Sequence, residues 1–158
     1  LKVGVNMNSK YIKYALLKYF RFTRQMIVAT EVQTTYGLSD ILAVNLDKHR
    51  SIEVEIKISK ADFKRDFKDK REKHIFFEHA KSANYFYFGF PSTLTAELID
   101  YVPQQYGVIS VFNHNEVKIK RQPQLINHLS DNEEIYNLII KRNASELIKY
   151  YGRYEIDN

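Results

Sequence analysis

Asp40, Glu55 and Lys57 are residues whose types and spacing could do chemistry together. Ser39-Asp40-Ile41-Leu42-Ala43-Val44 is a short apolar run opened by an acid, and Asp47-Lys48-His49-Arg50 is polar and turn-like. Ser51-Ile52-Glu53-Val54-Glu55-Ile56-Lys57-Ile58 then alternates polar and apolar with period two, which predicts a half-buried strand. Successive strand side chains switch faces, so Glu53, Glu55 and Lys57 share one. With residues 47–50 as the turn of a hairpin, residue 46 pairs with residue 51 and Asp40 falls opposite Lys57. Asp40 and Glu55 are then diagonal neighbours on one face, about 7–8 Å apart before their side chains reach inward. Two carboxylates and a lysine around one point can hold a hard divalent cation and a water. The plainer alternative is a solvated polar face on a two-stranded ribbon, with Lys57 paired to an acid.

A second Glu-x-Lys, Glu116-Val117-Lys118, is an internal control. It also follows a turn-like stretch, Asn113-His114-Asn115, but its expected partners Phe112, Ser110 and Val108 are not acidic. No metal site is expected there. The first copy differs because Asp40 opens the partner strand, and a slip of one residue would turn Asp40 to the other face.

The elements that must position these residues read as mixed α and β. Ser9 is the expected cap of a helix over about Lys10 to Phe22, with Ile12, Ala15, Leu16, Tyr19 and Phe20 as its apolar stripe. Its polar side, Lys10, Lys13, Lys18 and Arg21, is wholly basic and reads as a solvated face. Gln25 to Gln33 reads as a first strand, Thr34-Thr35-Tyr36-Gly37 as a turn, and Asp40 to Ile58 as the hairpin. Ser59-Lys60-Ala61-Asp62 resembles a capping box and starts a helix to about Ala80, with Ala61, Phe63, Phe67, Phe76 and Phe77 on its buried side. Its basic first turns would flank the site, and Lys60 and Lys64 are placed to meet phosphates.

Ala83 to Phe90 is almost continuously apolar and fits a buried strand beside the hairpin. The sharper alternative, an RNA-reading aromatic platform, lacks its Lys/Arg-Gly-aromatic signature. A short helix is expected near Thr95 to Tyr101, a second hairpin over Tyr106–Phe112 and Glu116–Arg121, and a final helix over about Asp131 to Tyr151. That last helix would bury Ile135, Leu138, Ile139, Leu147 and Ile148. The predicted architecture is therefore a central mixed β-sheet flanked by helices.

With 158 residues and 44% hydrophobic composition, the chain predicts one globular domain over residues 1–158, with its core over about 9–121. There are no cysteines, which excludes disulfides, thiolate metal sites and cysteine nucleophiles. His49, His74, His79, His114 and His128 show no metal-ligand spacing, and neither a Gly-rich phosphate loop nor a nucleophile elbow is present. No apolar run approaches the ~20 residues that span a bilayer, and no signal-peptide pattern is visible. A cytoplasmic protein without a membrane partner is expected. The net charge of +5 is compatible with a nucleic-acid partner. Oligomeric state is open, a homodimer included.

Helix, three strands, helix, strand is the expected order through about residue 90. With Asp40 opening the second strand and Glu55-x-Lys57 ending the third, the chain resembles the PD-(D/E)XK nuclease superfamily. The segment Val54-Glu55-Ile56-Lys57-Ile58-Ser59-Lys60-Ala61-Asp62-Phe63 is similar to the MmcB-like branch linked to DNA repair. The Tyr-Phe-Tyr-Phe strand and a later Gly-Val-Ile strand are similar as well. The resemblance covers about Met26 to Arg121; the terminal helix lies outside it. Ser39 stands where the superfamily's name has proline, and the first helix has no acid where many members carry a Glu. Glu31, on the first strand, is the candidate replacement.

The resemblance implies a restriction-endonuclease-like core of order αβββαβ and a Mg²⁺- or Mn²⁺-dependent nuclease acting on DNA in repair, recombination or mobile-element processing. Asp40, Glu55 and the Ile56 carbonyl would hold the metal. Lys57 would orient the attacking water or stabilise charge on the phosphorane. Glu53, further towards the turn, would support the ligands from behind. The alternative from another class is a nuclease-like module that binds nucleic acid or a protein without cutting.

Overall fold

The computed structural model describes residues 7–34, 37–69 and 82–156. In chain order the elements are α1 (Ser9–Lys18), a π-helical turn (Tyr19–Thr23), β1 (Ile27–Thr34), β2 (Gly37–Asn45), β3 (Arg50–Ile56) and α2 (Lys60–Asp69). Then follow β4 (Tyr85–Pro91), α3 (Ser92–Leu98), β5 (Gly107–Val111), β6 (Val117–Arg121) and α4 (Asn132–Ile156). The six strands form one sheet in sequential order. β1–β2, β2–β3 and β5–β6 are antiparallel, and β3–β4 and β4–β5 are parallel. The expected mixed sheet flanked by helices is therefore what forms.

Helix α1 is capped by Asn8 and not by Ser9: the Asn8 Oδ1 accepts the Tyr11 N–H at 3.0 Å. Ile12, Ala15, Leu16 and Phe20, spaced as one helical face, are buried against Ile41, Ala43, Ile52, Val54 and Tyr87. Gly89 lets the helix lie close to the sheet. A Cβ there would meet Val54 Cγ1 at 3.2 Å and Leu16 Cδ1 at 3.4 Å. Leu16→Ala would open a cavity costing about 2–5 kcal/mol and loosen the helix that carries Lys13.

The other sheet face is covered twice. Phe63 of α2 packs edge-on against Phe88, with ring centroids 5.2 Å apart, in a cluster with Phe86, Phe90, Leu98 and Tyr106. The aromatic rings of β4 are thus core, which removes them as a base-reading platform. Ala61, expected on the buried side of α2, is exposed. The inward side runs through Phe63, Asp66 and Phe67, and Ala61 lies roughly opposite it at ~100° per residue. Phe76, Phe77 and the expected continuation to Ala80 lie outside the described residues, as do Thr35 and Tyr36.

Helix α4 is capped by Asp131, whose Oδ1 accepts the N–H groups of Glu133 and Glu134. Ile135 and Ile139 pack on Ala29, Val32, Leu42 and Val44. Leu147 and Ile148, expected on that stripe, face solvent. Arg142 and Asn143 still reach β1 carbonyls, those of Thr30 and Val28, but the sheet no longer lies under the next turn's apolar side chains. Among the described residues no helix is long and apolar enough to cross a membrane.

The β2–β3 hairpin closes one residue earlier than expected on each side. Asn45 pairs with Arg50, and residues 46–49 form the loop. His49 takes a left-handed φ of 47° and its N–H bonds the Leu46 carbonyl, while the Asn45 Oδ1 accepts the Lys48 N–H. Arg50, read as a turn residue, belongs to the strand. Its guanidinium lies over the Tyr85 ring at 4.4 Å.

Candidate functional site

The earlier turn shifts the register by two residues. Ile41 pairs with Val54, so one step further along the ladder Asp40 stands opposite Glu55, not opposite Lys57. An even shift preserves the face of every side chain, so the carboxylates remain together and move from diagonal to direct neighbours. The β1–β2 ladder extends the row. Thr30 pairs with Ile41 and Val32 with Ser39, which places Glu31 opposite Asp40. Glu31 itself has φ 52°, a left-handed conformation that strains a residue with a Cβ.

Asp40 lies where β2 and β3 part. Its Oδ2 accepts the Ile56 N–H at 2.9 Å, so a carboxylate takes a bond that a strand carbonyl would otherwise make. Its Oδ1 is 3.4 Å from Lys13 Nζ, which is also 3.2 Å from Glu31 Oε1. Lys13, read from sequence as part of a solvated face, therefore ties α1 to two of the acids. Arg142 of α4 reaches the other Glu31 oxygen at 3.3 Å.

Lys57 follows the end of β3, and its N–H bonds the Gly89 carbonyl. Its ammonium lies 3.0 Å from Glu55 Oε1 and 3.0 Å from Asp66 Oδ1, and all three side chains are buried. Asp66 escaped the sequence reading because its spacing on α2 resembles an ordinary helical charge pattern. Only the Phe63 and Phe67 anchors reveal that this side of α2 faces the sheet.

The charges are strongly coupled. Burial, and then the neighbouring Glu55 carboxylate, push the Asp40 carboxyl above the ordinary range; the Ile56 N–H and Lys13 offset part of this. Burial alone would lower the Lys57 ammonium, but Glu55 and Asp66 outweigh it and raise it. Lys57 is thus held as a cation at any physiological pH.

The remaining candidates divide. Glu53 is buried two residues back on the Glu55 face, opposite Leu42. Ile56 meets Asp40 through its N–H. Lys64 is exposed on α2. Lys60 is engaged sideways, 2.6 Å from Glu97 of α3. In the control motif, Glu116 and Lys118 pair with each other at 2.9 Å in solvent, and Lys118 faces Ser110 across the ladder.

Among the described residues, no group of three or more His, Asp or Glu side chains converges to ligate a metal. Asp40 and Glu55 are a pair. Two adjacent carboxylates, one with its proton affinity raised by the other, suit a hard cation that keeps several of its waters. A structural zinc site would instead take four protein ligands, chiefly cysteine and histidine. The donor set thus fits hydrated Mg²⁺ or Mn²⁺.

No family model and no curated protein matches the chain. Among solved structures, the chain is similar to a protein of unknown function from Silicibacter pomeroyi, with TM-score 0.68 and 15% identity. The match covers 93% of this chain and 94% of that one. At that identity the likeness is one of fold, and it extends over nearly the whole of both chains.

Proposed function

We propose that the protein is a metal-dependent nuclease that hydrolyses DNA phosphodiester bonds, of the PD-(D/E)XK kind and similar to the MmcB-like branch. The observation that carries this reading is the direct opposition of Asp40 and Glu55 where β2 and β3 part, with Lys57 Nζ 3.0 Å from Glu55 Oε1. Asp40, Glu55 and the Ile56 carbonyl are the ligands of Mg²⁺ or Mn²⁺ in this reading. A bound divalent cation would supply an acidified water and screen the phosphate charge.

The chain's own residues do the rest. The Ile56 N–H fixes the orientation of the Asp40 carboxylate. Lys57, kept protonated by Glu55 and Asp66, serves as a donor to charge developing on the phosphorane and not as a general base.

A second reading, a nuclease-like module that binds without cutting, is favoured by one observation. Lys13 and Lys57 already lie against Asp40 and Glu55, so the acids have internal countercharges. A panel of single-stranded, duplex and branched DNA, incubated with Mg²⁺, Mn²⁺ or chelator, separates the two. Cleavage that needs the cation supports the nuclease. No cleavage across the panel, with binding retained, supports the second reading.

A further inference from the structure

Helix α1 turns one side to the sheet, and Lys10, Tyr14 and Lys18 on the other are exposed. Lys10, Tyr14 and Lys18 follow at four-residue spacing along the outer side, and Arg21 and Phe22 continue the stripe through the π-helical turn. Tyr14 is 52% exposed and Phe22 71%. Each ring has a cation beside it: Lys18 Nζ is 5.5 Å from the Tyr14 centroid, and the Arg21 guanidinium is 5.7 Å from that of Phe22. Residues 9–23 contain no acid, so nothing on these turns neutralises the stripe internally. A solvated basic face explains the cations. The two exposed rings set apolar π-faces between those cations.

We infer that this stripe binds single-stranded nucleic acid, with bases stacked on Tyr14 and Phe22 and the flanking phosphates met by Lys10, Lys18 and Arg21. Every base offers a π-face, and the surface combines sequence-tolerant stacking with charge along a backbone. The eight residue steps from Tyr14 to Phe22 span about 12 Å of helix, the length of a short run of nucleotides. A duplex keeps its bases inside the stack and could use only the cations. Lys13, on the flank of the same helix, contacts Asp40, so α1 joins the stripe to the acidic row. The inference deepens the nuclease proposal by naming its substrate, a nucleic acid with an unpaired strand, and rests on that proposal for substrate identity alone. Binding is measurable without divalent metal.

The test is fluorescence anisotropy with labelled single-stranded and duplex oligonucleotides in chelator, on the full chain. Tyr14→Ala and Phe22→Ala should each weaken single-strand binding about tenfold and leave duplex binding little changed, while Tyr14→Phe retains affinity. Lys18→Ala should reduce the salt slope for single strands by about 0.7. Wild type that binds no single strand, alanine variants that bind it unchanged, or equal losses on both ligands would overturn the inference. So would preferential binding to anionic phosphatidylserine vesicles lost in the same variants, which would assign the stripe to a membrane surface. Cleavage plays no part in these measurements, so their failure leaves the nuclease proposal to its own test.

Discussion

Asp40 and Glu55 face each other on adjacent antiparallel strands, and the Ile56 N–H reaches back 2.9 Å to Asp40 Oδ2. That bond aims a carboxylate that the sheet would otherwise leave free. It also holds two acids close enough for one to raise the proton affinity of the other.

Stability follows from that coupling, with a definite sign. The Asp40 carboxyl is raised on folding, so in the window between its ordinary value and its folded one the native state binds more protons than the unfolded state. Stability contributed by this group therefore falls as pH rises through that window. At neutral pH, Asp40→Asn should raise the melting temperature of metal-free protein. A divalent cation should raise the melting temperature of wild type and not that of Asp40→Asn. Differential scanning fluorimetry with Mn²⁺ and with chelator measures both.

Lys57 behaves in the opposite sense. Its ammonium is raised on folding, so its contribution is fully present below the unfolded value and is lost as pH rises through the folded one. Lys57→Met leaves Glu55 and Asp66 buried without their shared cation and should cost about 3–5 kcal/mol in urea unfolding. Adding Asp66→Asn should recover part of that loss, because one buried charge then disappears with its partner.

Lys13 competes with any cation at Asp40. Lys13→Met removes an ammonium 3.4 Å from Asp40 Oδ1, and Mn²⁺ affinity should rise about fivefold, the size expected for relief of a like charge in a partly solvated site. Isothermal titration reads this directly. Weaker binding would mean that Lys13 holds the ligands in place.

Glu116 and Lys118 carry the same motif without its setting. Their pair is half in solvent and faces Ser110. Glu116→Gln and Lys118→Ala should each change stability by no more than about 0.5 kcal/mol and leave metal binding unchanged.

The alternation from Ser51 to Ile58 made β3 and the shared face of Glu53, Glu55 and Lys57 legible in the sequence, because strand periodicity is local. The pairing partner was less legible. Whether Arg50 ends a turn or begins a strand depends on the Tyr85 ring under its guanidinium, a contact 35 residues away in sequence. The resulting error was even, so it moved the acids closer without separating their faces. Asp66 and Lys13 were not legible as site residues for the same reason. Each occupies an ordinary position in a charged helix and acquires its role from tertiary packing, through Phe63 for one and Leu16 for the other. The left-handed Glu31 left no local signal either, since nothing nearby in the sequence favours that conformation. Leu147 and Ile148 show the reverse: an apolar pattern predicts burial only while a sheet lies beneath it.

The most direct measurement is the rate of cleavage of the DNA panel with Mg²⁺ or Mn²⁺ by wild type, Asp40→Asn, Glu55→Gln, Lys57→Ala and the Glu116→Gln control, each checked for folding by circular dichroism. Cation-dependent cleavage is expected of wild type and Glu116→Gln, with its loss in the Asp40, Glu55 and Lys57 variants and much of the Mn²⁺ affinity kept in Lys57→Ala. Full activity in well-folded Asp40→Asn would contradict that expectation.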